Sequence, residues 1–310
     1  MEPYIKSTGT DIPRLVFEDL YVQSFKYSPS INSAYPEFNG LREYAAQTDV
    51  VKSVQLQIII FIATHRFATA GQLKRFLALK SFEIEDIESV MEEMVKMRQV
   101  NFFILSDSEV KEFPEDAEKY YCLDWAGKYI YTNYADENYW FWKVTDNLRN
   151  AGQVQDCLWI NEFHISVYSS RGDKLKVFDP LVAVHLKTKD AKFSAWIEAK
   201  TRSNEDARFI LEVVSPEDLP MNFTAKCNDS INQFMYQGQW KRLCKEEPRL
   251  IFLCANVTDA EEVARTYYQF FEKLNYSVTT LAEVLKGMGD ALVYRFDGTS
   301  FESGQISALR

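Results

Sequence analysis

The spacing of apolar residues changes character partway along the chain. Between residues 51 and 98 the apolar side chains recur at helical intervals, which is the pattern of amphipathic helices. From about residue 159 they fall into short strand-length segments, and one of these, 250–255, is uninterrupted. A continuous apolar run of that length is typical of a strand covered on both faces. The sequence therefore predicts an α/β protein built from two different parts.

The first part has the element order of a winged helix. Three short helical patterns lie within 51–98, and two strand patterns follow at 100–105 and 119–123. The second helix is predicted to start at Thr69-Ala70-Gly71-Gln72, because a threonine followed three residues later by glutamine forms a capping box. Three helices followed by a hairpin is the order of the winged helix-turn-helix. We therefore expect a winged-helix-like domain at 51–137, preceded by an extended arm at 1–50 that is rich in proline and serine.

The charges of this domain argue against strong DNA binding. Its third helix, at about 83–98, would enter the major groove, yet it has only Lys96 and Arg98 as cations. Six acidic residues lie on or beside it: Glu83, Glu85, Asp86, Glu88, Glu92 and Glu93. The candidate phosphate contacts flank the second helix: Arg66, Lys74, Arg75 and Lys80. With a net charge of −10 for the chain, duplex binding is predicted to be weak and salt-dependent, and a protein-docking use of the domain stays open.

The second part alternates strands and helices. A linking helix with an aromatic cluster at 139–142 is expected at 139–151, and strands are expected at 159–166, 176–186, 193–199 and 208–214. A long helix at 222–243, a buried strand at 250–255 and a helix at 258–274 complete a layered arrangement with one parallel crossover. The last helix is predicted to start with a second capping box at Thr258. A final strand at 291–296 precedes a polar tail, and the domain is expected to span 138–310.

Two carboxylates and a lysine in this part suit phosphodiester chemistry. Glu198 and Lys200 lie two residues apart on a predicted strand, so both point to the same face. Asp179 lies on the preceding predicted strand, and antiparallel pairing would bring it beside Glu198. Carboxylates bind Mg²⁺, and a nearby lysine can stabilise charge on a phosphate. The sequence predicts that these three side chains share one face of the sheet.

These residues resemble the signature of the PD-(D/E)XK nucleases. That signature is an aspartate, then Glu-x-Lys on the next strand, then a helix and a buried strand; Asp179, Glu198 and Lys200 match its residue types and order. Asp179-Pro180 inverts the Pro-Asp of the name, and Gln233 to Gln237 is similar to a glutamine-bearing helix of some members. A winged helix followed by this core, over about 51–275, resembles the replication-relaxation proteins of plasmids and conjugative elements.

The resemblance implies a fold, a cofactor and partners. It implies an Mg²⁺-dependent endonuclease in which Asp179 and Glu198 hold the metal and Lys200 assists the attacking water. The implied partners are double-stranded DNA and a protein of a replication or mobilisation complex. Many replication-relaxation-like proteins have an eroded nuclease motif, so a non-catalytic interaction protein with a nuclease-like scaffold stays open as the alternative.

The position of the motif also has two readings. In the superfamily the helix follows the glutamate-bearing strand directly, which favours Glu212 on the 208–214 strand with Lys226 supplying the amine. Local spacing favours Glu198 and Lys200 instead. His164, close to Glu162, is a further candidate, although a packed histidine is the simpler interpretation.

The remaining composition excludes several classes of protein. The five cysteines have no C-x-x-C pair and there are only three histidines, so a structural zinc site is not expected. Reduced, buried thiols are expected instead. The longest apolar run, 58–63, is too short to span a bilayer, and the start of the chain lacks the features of a signal peptide. The sequence predicts a cytoplasmic protein with no membrane partner.

Overall fold

The computed structural model describes residues 14–16, 54–106, 117–135, 147, 151–186, 190–201, 203–271, 275–306 and 309. These residues form two compact units, one up to Leu158 and the other from Trp159 onward. The boundary falls within one long helix, α5 (Ala151–Arg171). The domain boundary predicted between 137 and 138 lies outside the described residues, as does the aromatic cluster at 139–142. Of the predicted arm, only Arg14–Val16 is described.

The first unit combines helices with a small antiparallel sheet. Its elements are β1 (Arg14–Val16), α1 (Val54–His65), β2 (Phe67–Thr69), α2 (Ala70–Leu79), α3 (Ile87–Lys96), β3 (Val100–Ser106), β4 (Tyr120–Leu123) and α4 (Trp125–Ala135). The strands lie in the order β1-β3-β4-β2, and every neighbouring pair is antiparallel. The expected hairpin of β3 and β4 is therefore present.

Local sequence signals position the helices of this unit. The predicted capping box is present: Gln72 N donates to Thr69 Oγ1, and Thr69 N donates to Gln72 Oε1. Helix α3 is shorter than predicted because the Asp86 side chain accepts a hydrogen bond from Ser89 N. That bond makes Asp86 the N-cap and leaves 83–85 outside the helix.

The second unit is a larger mixed α/β assembly. Besides α5 its helices are α6 (Met221–Lys226), α7 (Val257–Phe270) and α8 (Leu281–Leu285). Its strands are β5 (Leu175–Pro180), β6 (Ala183–His185), β7 (Asp190–Lys192), β8 (Ala195–Lys200), β9 (Asp206–Val214), β10 (Arg249–Cys254), β11 (Tyr276–Thr280), β12 (Val293–Phe296) and β13 (Phe301–Gly304). Seven of the strands form one sheet in the order β13-β12-β11-β10-β9-β8-β5, and β6 pairs with β7 separately.

The sheet contains an antiparallel and a parallel region. Strands β5, β8 and β9 are antiparallel neighbours. Strand β9 is parallel to β10, and β10 is parallel to β11. The connection from β9 to β10 runs through α6, so one parallel crossover follows β9, and a second, through α7, follows β10. The predicted α/β layer is present, but it has two helical crossovers where the sequence predicted one, because strand β11 was not predicted.

Helices cover both faces of this sheet. On one face the Phe223 ring packs edge-on against Phe252, 5.3 Å between centroids, so α6 covers β10. Helix α7 adds Val263 and Tyr267 to the same core. On the other face His164 of α5 stacks on Phe178 of β5. The strands between these layers supply a core in which most side chains are fully buried.

Several predicted elements of this unit were wrong. The segment 159–166, predicted as a strand, lies in α5. The long helix predicted at 222–243 is instead α6, a π-helix from Cys227 to Tyr236 and a short 3-10 helix from Gln239 to Arg242. Helix α7 starts after the N-cap Asn256, whose side chain accepts from Asp259 N, and not at a Thr258 box. Strand β11 was missed, and the predicted polar tail contains strand β13.

Candidate functional site

The strand register brings Asp179 and Glu198 to the same face of the sheet. Asp179 pairs with Trp196, and Glu198 pairs with Val177, across the antiparallel β5–β8 ladder. Directly paired residues point to the same face, and so do residues two apart on a strand. Asp179 and Glu198 are therefore diagonal neighbours, a relationship that places side chains about 7 Å apart. Lys200 continues the same row, and we call Asp179, Trp196, Glu198 and Lys200 the carboxylate strip.

The carboxylate strip is accessible to solvent. Asp179 is exposed, and Trp196, Glu198 and Lys200 are half-buried. The alternate residues of β8, Ala195, Ile197 and Ala199, are buried. The alternation follows from the pleat of the strand, which sends one set of side chains into the core and the other outward.

Neighbouring side chains already contact the glutamate and the lysine. Trp196 Nε1 donates to Glu198 Oε1 at 3.0 Å, and Arg208 Nε lies 3.6 Å from the same oxygen. Lys200 Nζ lies 2.6 Å from Asp206 Oδ1, and this hydrogen bond lowers the pKa of Asp206. Arg208 and Asp206 are on β9, directly opposite Glu198 and Lys200. Both contacts to Glu198 use Oε1, so Oε2 is the oxygen that could accept a metal.

The strip fits Mg²⁺ as a two-carboxylate site. Magnesium commonly binds one or two carboxylates and completes its shell with water and substrate phosphate oxygens. Asp179 and Glu198 supply that number of ligands on one accessible face. In the part of the chain that the structure describes, no three side chains of His, Cys, Asp or Glu are grouped to hold a metal ion. A fully protein-built metal cage is therefore not present among those residues.

The rival pair, Glu212 and Lys226, forms a buried contact on the same face of the sheet. Lys226 Nζ donates to Glu212 Oε1. The Glu212 side chain is 6% exposed and that of Lys226 is 30% exposed. Burial raises the pKa of the Glu212 carboxyl, and Lys226 and the backbone of Ser194 act in the opposite direction. Glu212 Oε2 is buried and makes no hydrogen bond within the described residues.

The order of elements after Glu212 is the one that the rival placement requires. Strand β9 is followed directly by α6, which bears Lys226, and then by the parallel strand β10. Glu198 lies one strand earlier. Glu212 lies on β9, two strands from β5 with β8 between them, so the sheet does not bring it directly beside Asp179. The two candidate pairs are thus separate sites on one face.

His164 occupies a packing position. Its ring stacks on Phe178 with centroids 4.0 Å apart and planes within 3°, and its exposure is 9%. The packed interpretation of His164 describes this contact better than a role in the carboxylate strip, because Phe178 points to the opposite face from Asp179.

The four candidate phosphate contacts of the first unit are exposed around α2. Arg66, Lys74, Arg75 and Lys80 are all solvent-accessible. Lys74 Nζ donates to the backbone oxygen of Glu85 at 2.9 Å. The six acidic residues predicted on or beside the third helix are exposed as well. Arg98, counted as a cation of that helix, is buried with its Nε 3.4 Å from Asp124 Oδ2, so it does not offset them.

The sequence analysis missed the partners of the strip. Arg208 and Asp206 follow the same alternation as Glu198 and Lys200 on the adjacent strand. Each of the two strands has two opposite charges two residues apart, Glu198 and Lys200 on β8 and Asp206 and Arg208 on β9. Such a pattern on consecutive strands predicts ion pairs between them. The signal depends on knowing the register, which the tight turn at Thr201–Glu205 sets.

Comparisons with known proteins give little further guidance. No protein-family model matches the chain, and no curated protein does. Among solved structures, the restriction endonuclease FokI is similar over 76% of this chain, with 12% sequence identity and a TM-score of 0.26. The chain spans 43% of the length of that endonuclease. A TM-score of this size does not establish a shared fold, so the functional argument rests on the site itself.

The helices were also compared with the requirements of a membrane span. In the described ranges, none of them has both the length and the apolar character to cross a bilayer.

Proposed function

We propose that the protein is a DNA-processing protein whose second unit cleaves phosphodiester bonds with Mg²⁺ at the carboxylate strip. The observation that supports this most is the register, in which Asp179 and Glu198 share an accessible face of adjacent strands. The first unit would add duplex contacts from Arg66, Lys74, Arg75 and Lys80. Its element order, helix–strand–helix–helix–strand–strand, supports the proposal that it is a winged helix.

Each side chain of the strip has a distinct role in this proposal. Asp179 and Glu198 Oε2 would hold the metal, which supplies charge stabilisation at the scissile phosphate and lowers the pKa of bound water. Lys200 would break its contact with Asp206 and then stabilise negative charge on the phosphate oxygens. Trp196 and Arg208 hold the Glu198 carboxylate by Oε1, which restricts its rotation. The resemblance suggests a plasmid or conjugative element as the wider setting, and the sequence composition suggests the cytoplasm as the location.

A non-catalytic interaction protein is the second candidate. It is favoured by the ion pairs of Glu198 with Arg208 and Lys200 with Asp206, because charges already paired across strands need no metal. The exposed acidic residues of the first unit also suit a protein partner better than DNA. In this candidate the nuclease-like sheet is a scaffold, and the partner belongs to a replication or mobilisation complex.

Nicking of supercoiled plasmid in Mg²⁺ or Mn²⁺ tests the two candidates. We expect Glu198→Ala to lower the rate at least about a hundredfold, because a bound metal contributes several kcal/mol to the transition state. Lys200→Ala should lose most activity and keep metal binding. The matched control is Glu261→Ala, which removes an exposed carboxylate of α7 and should leave the rate unchanged.

The same assay has two contrary outcomes. If Glu212→Ala abolishes nicking and Glu198→Ala does not, the active site belongs to Glu212 and Lys226. If the wild-type protein nicks no DNA in Mg²⁺, Mn²⁺ or Co²⁺ and binds none of these metals, the interaction protein is the better description.

A further inference from the structure

A second group of exposed cations lies in the second unit, outside the residues predicted from the sequence. The segment 239–249, which connects the π-helix region to β10, has four cations that are all exposed: Lys241, Arg242, Lys245 and Arg249. Two exposed acidic residues, Glu246 and Glu247, reduce its net charge to +2. The chain as a whole has a net charge of −10, so this segment is locally cationic within an acidic protein.

Among the residues that the structure describes, the four cations of the 239–249 segment form no ion pairs. Within the described residues, no carboxylate lies within salt-bridge distance of any of them, whereas Lys200, Arg208 and Lys226 of the same unit are all paired. Lys241 Nζ instead lies 5.5 Å from the centre of the Trp240 ring. A cation without a carboxylate partner can bind an anion without first breaking a salt bridge. The segment is therefore suited to a multiply charged anion.

The 239–249 segment lies next to the carboxylate strip. Arg249 opens β10 opposite Phe209, which in turn pairs with Ile197, so Arg249 points to the face of the sheet opposite Glu198 and takes no part in this border. Trp240, Cys244 and Trp196 pack into the same hydrophobic cluster. Burial raises the pKa of the Cys244 thiol, and the charges of Arg208 and Glu198 act on it as well. The stretch from Trp240 to Cys244, which includes Lys241 and Arg242, therefore lies beside the Glu198 part of the strip.

We propose that the 239–249 segment binds the phosphate backbone of duplex DNA and holds it against the carboxylate strip. This inference rests on the proposed function, because it takes duplex DNA as the substrate of the carboxylate strip and names the segment that holds the DNA there. Phosphates bind where lysine and arginine replace the condensed counterions of DNA. The carboxylates of the strip repel phosphate by themselves, so cations beside them offset that repulsion and orient the backbone.

Fluorescence anisotropy of a labelled duplex, titrated with the full-length protein in EDTA at several salt concentrations, tests this placement. We expect Lys241→Ala/Arg242→Ala to weaken binding about tenfold at low salt and to reduce the slope of log K against log salt by about 2, close to one unit for each lost phosphate contact. The matched control, Lys176→Ala/Lys192→Ala, removes two exposed cations of the same unit and should change neither quantity.

The result is independent of cleavage, because EDTA removes the metal. Loss of binding in the Lys241/Arg242 variant supports the proposal even if the wild-type protein nicks no DNA, in which case only the proposed chemistry fails. Affinity and salt slope equal to those of the wild type in this variant would overturn the proposal, even if nicking is observed. An equal loss in the control variant would overturn it too, since the effect would then reflect total charge.

Discussion

At the scale of single residues, Glu212 is a carboxylic acid held in a buried environment. Its carboxyl is buried, one oxygen accepts from Lys226, and the other makes no hydrogen bond within the described residues. Burial outweighs the lysine and raises the pKa of this carboxyl above its ordinary value of 4.5. The folded protein therefore binds a proton at Glu212 more tightly than the unfolded chain does.

This raised pKa predicts a pH-dependent stability difference between wild type and Glu212→Gln. The stabilisation of the folded state that comes from tighter proton binding at Glu212 is fully present below about pH 4.5. It is lost as the pH rises through the folded-state pKa of Glu212. Relative to Glu212→Gln, the wild type should be most stable near pH 4.5 and lose about 1.4 kcal/mol for each unit by which the pKa is raised. Urea unfolding of both proteins from pH 4.5 to 8 measures this; a constant difference would contradict it.

The residue scale also shows what could be predicted about the site. Residue alternation alone places Glu198 and Lys200 on one face of β8, whereas the placement of Asp179 on that face depends also on the register of β5 against β8. The pairing of Glu198 with Arg208 and of Lys200 with Asp206 could not be predicted in the same way. Cross-strand partners depend on register, and a shift of one residue would move every side chain to the other face.

At the scale of elements, α2 and α3 oppose each other in charge. The exposed cations Lys74 and Arg75 lie on α2, and exposed acidic residues lie on and before α3. If α2 supplies phosphate contacts, Lys74→Glu/Arg75→Glu should abolish the duplex binding of the first unit, because two attractions become two repulsions. The reverse change, Glu92→Gln/Glu93→Gln on α3, should tighten binding. Anisotropy titration at low salt compares the two variants.

Either result of this titration tests whether α2 is the surface of the first unit that contacts phosphates. Tight binding that is insensitive to the Lys74 and Arg75 reversals would show that the first unit uses another surface. To separate this surface from the 239–249 segment, the reversals are repeated in the Lys241→Ala/Arg242→Ala background, where a further loss of affinity on reversing Lys74 and Arg75 measures the contribution of the first unit.

Elements with regular periodicity were predicted correctly, and those without it were not. Helix α2 has a capping box and a clear apolar stripe, and its start was predicted to the residue. Helix α5 was mistaken for a strand because apolar and polar residues alternate at 163–166, which is the pattern of a half-buried strand, although every residue from 157 to 167 is buried. Strand β11, with the sequence YSVTT, was missed because buried serine and threonine weaken the apolar signal of a central strand.

At the scale of the whole molecule, the acidic net charge and the local cations act over different distances. A net charge of −10 repels DNA at long range when salt is low, while unpaired cations attract it at contact distance. Because screening at physiological salt limits the first effect to about 8 Å, the local cations would decide where DNA binds under the proposed function. In that proposal the protein recognises DNA at defined contacts and does not coat it.

The last prediction concerns metal binding by the intact protein. Asp179 and Glu198 are like charges on one face of the sheet, and a metal that binds only the folded state stabilises it by mass action. At ten times its dissociation constant, Mg²⁺ should add about 1.4 kcal/mol and raise the melting temperature of the second unit by about 3–6 °C. Differential scanning calorimetry in MgCl₂, against NaCl of equal ionic strength, measures the rise. The same scan records a separate transition for each unit that unfolds independently.

The variants decide where the metal binds. Glu198→Ala should abolish the rise, since it removes one of the two ligands, and Glu261→Ala should retain it because that carboxylate lies on α7 and outside the strip. An equal rise in wild type and Glu198→Ala would place the metal elsewhere. No rise in the wild type, together with no nicking, would mean that the Arg208 and Asp206 ion pairs occupy the charges of the strip, as the interaction-protein candidate requires.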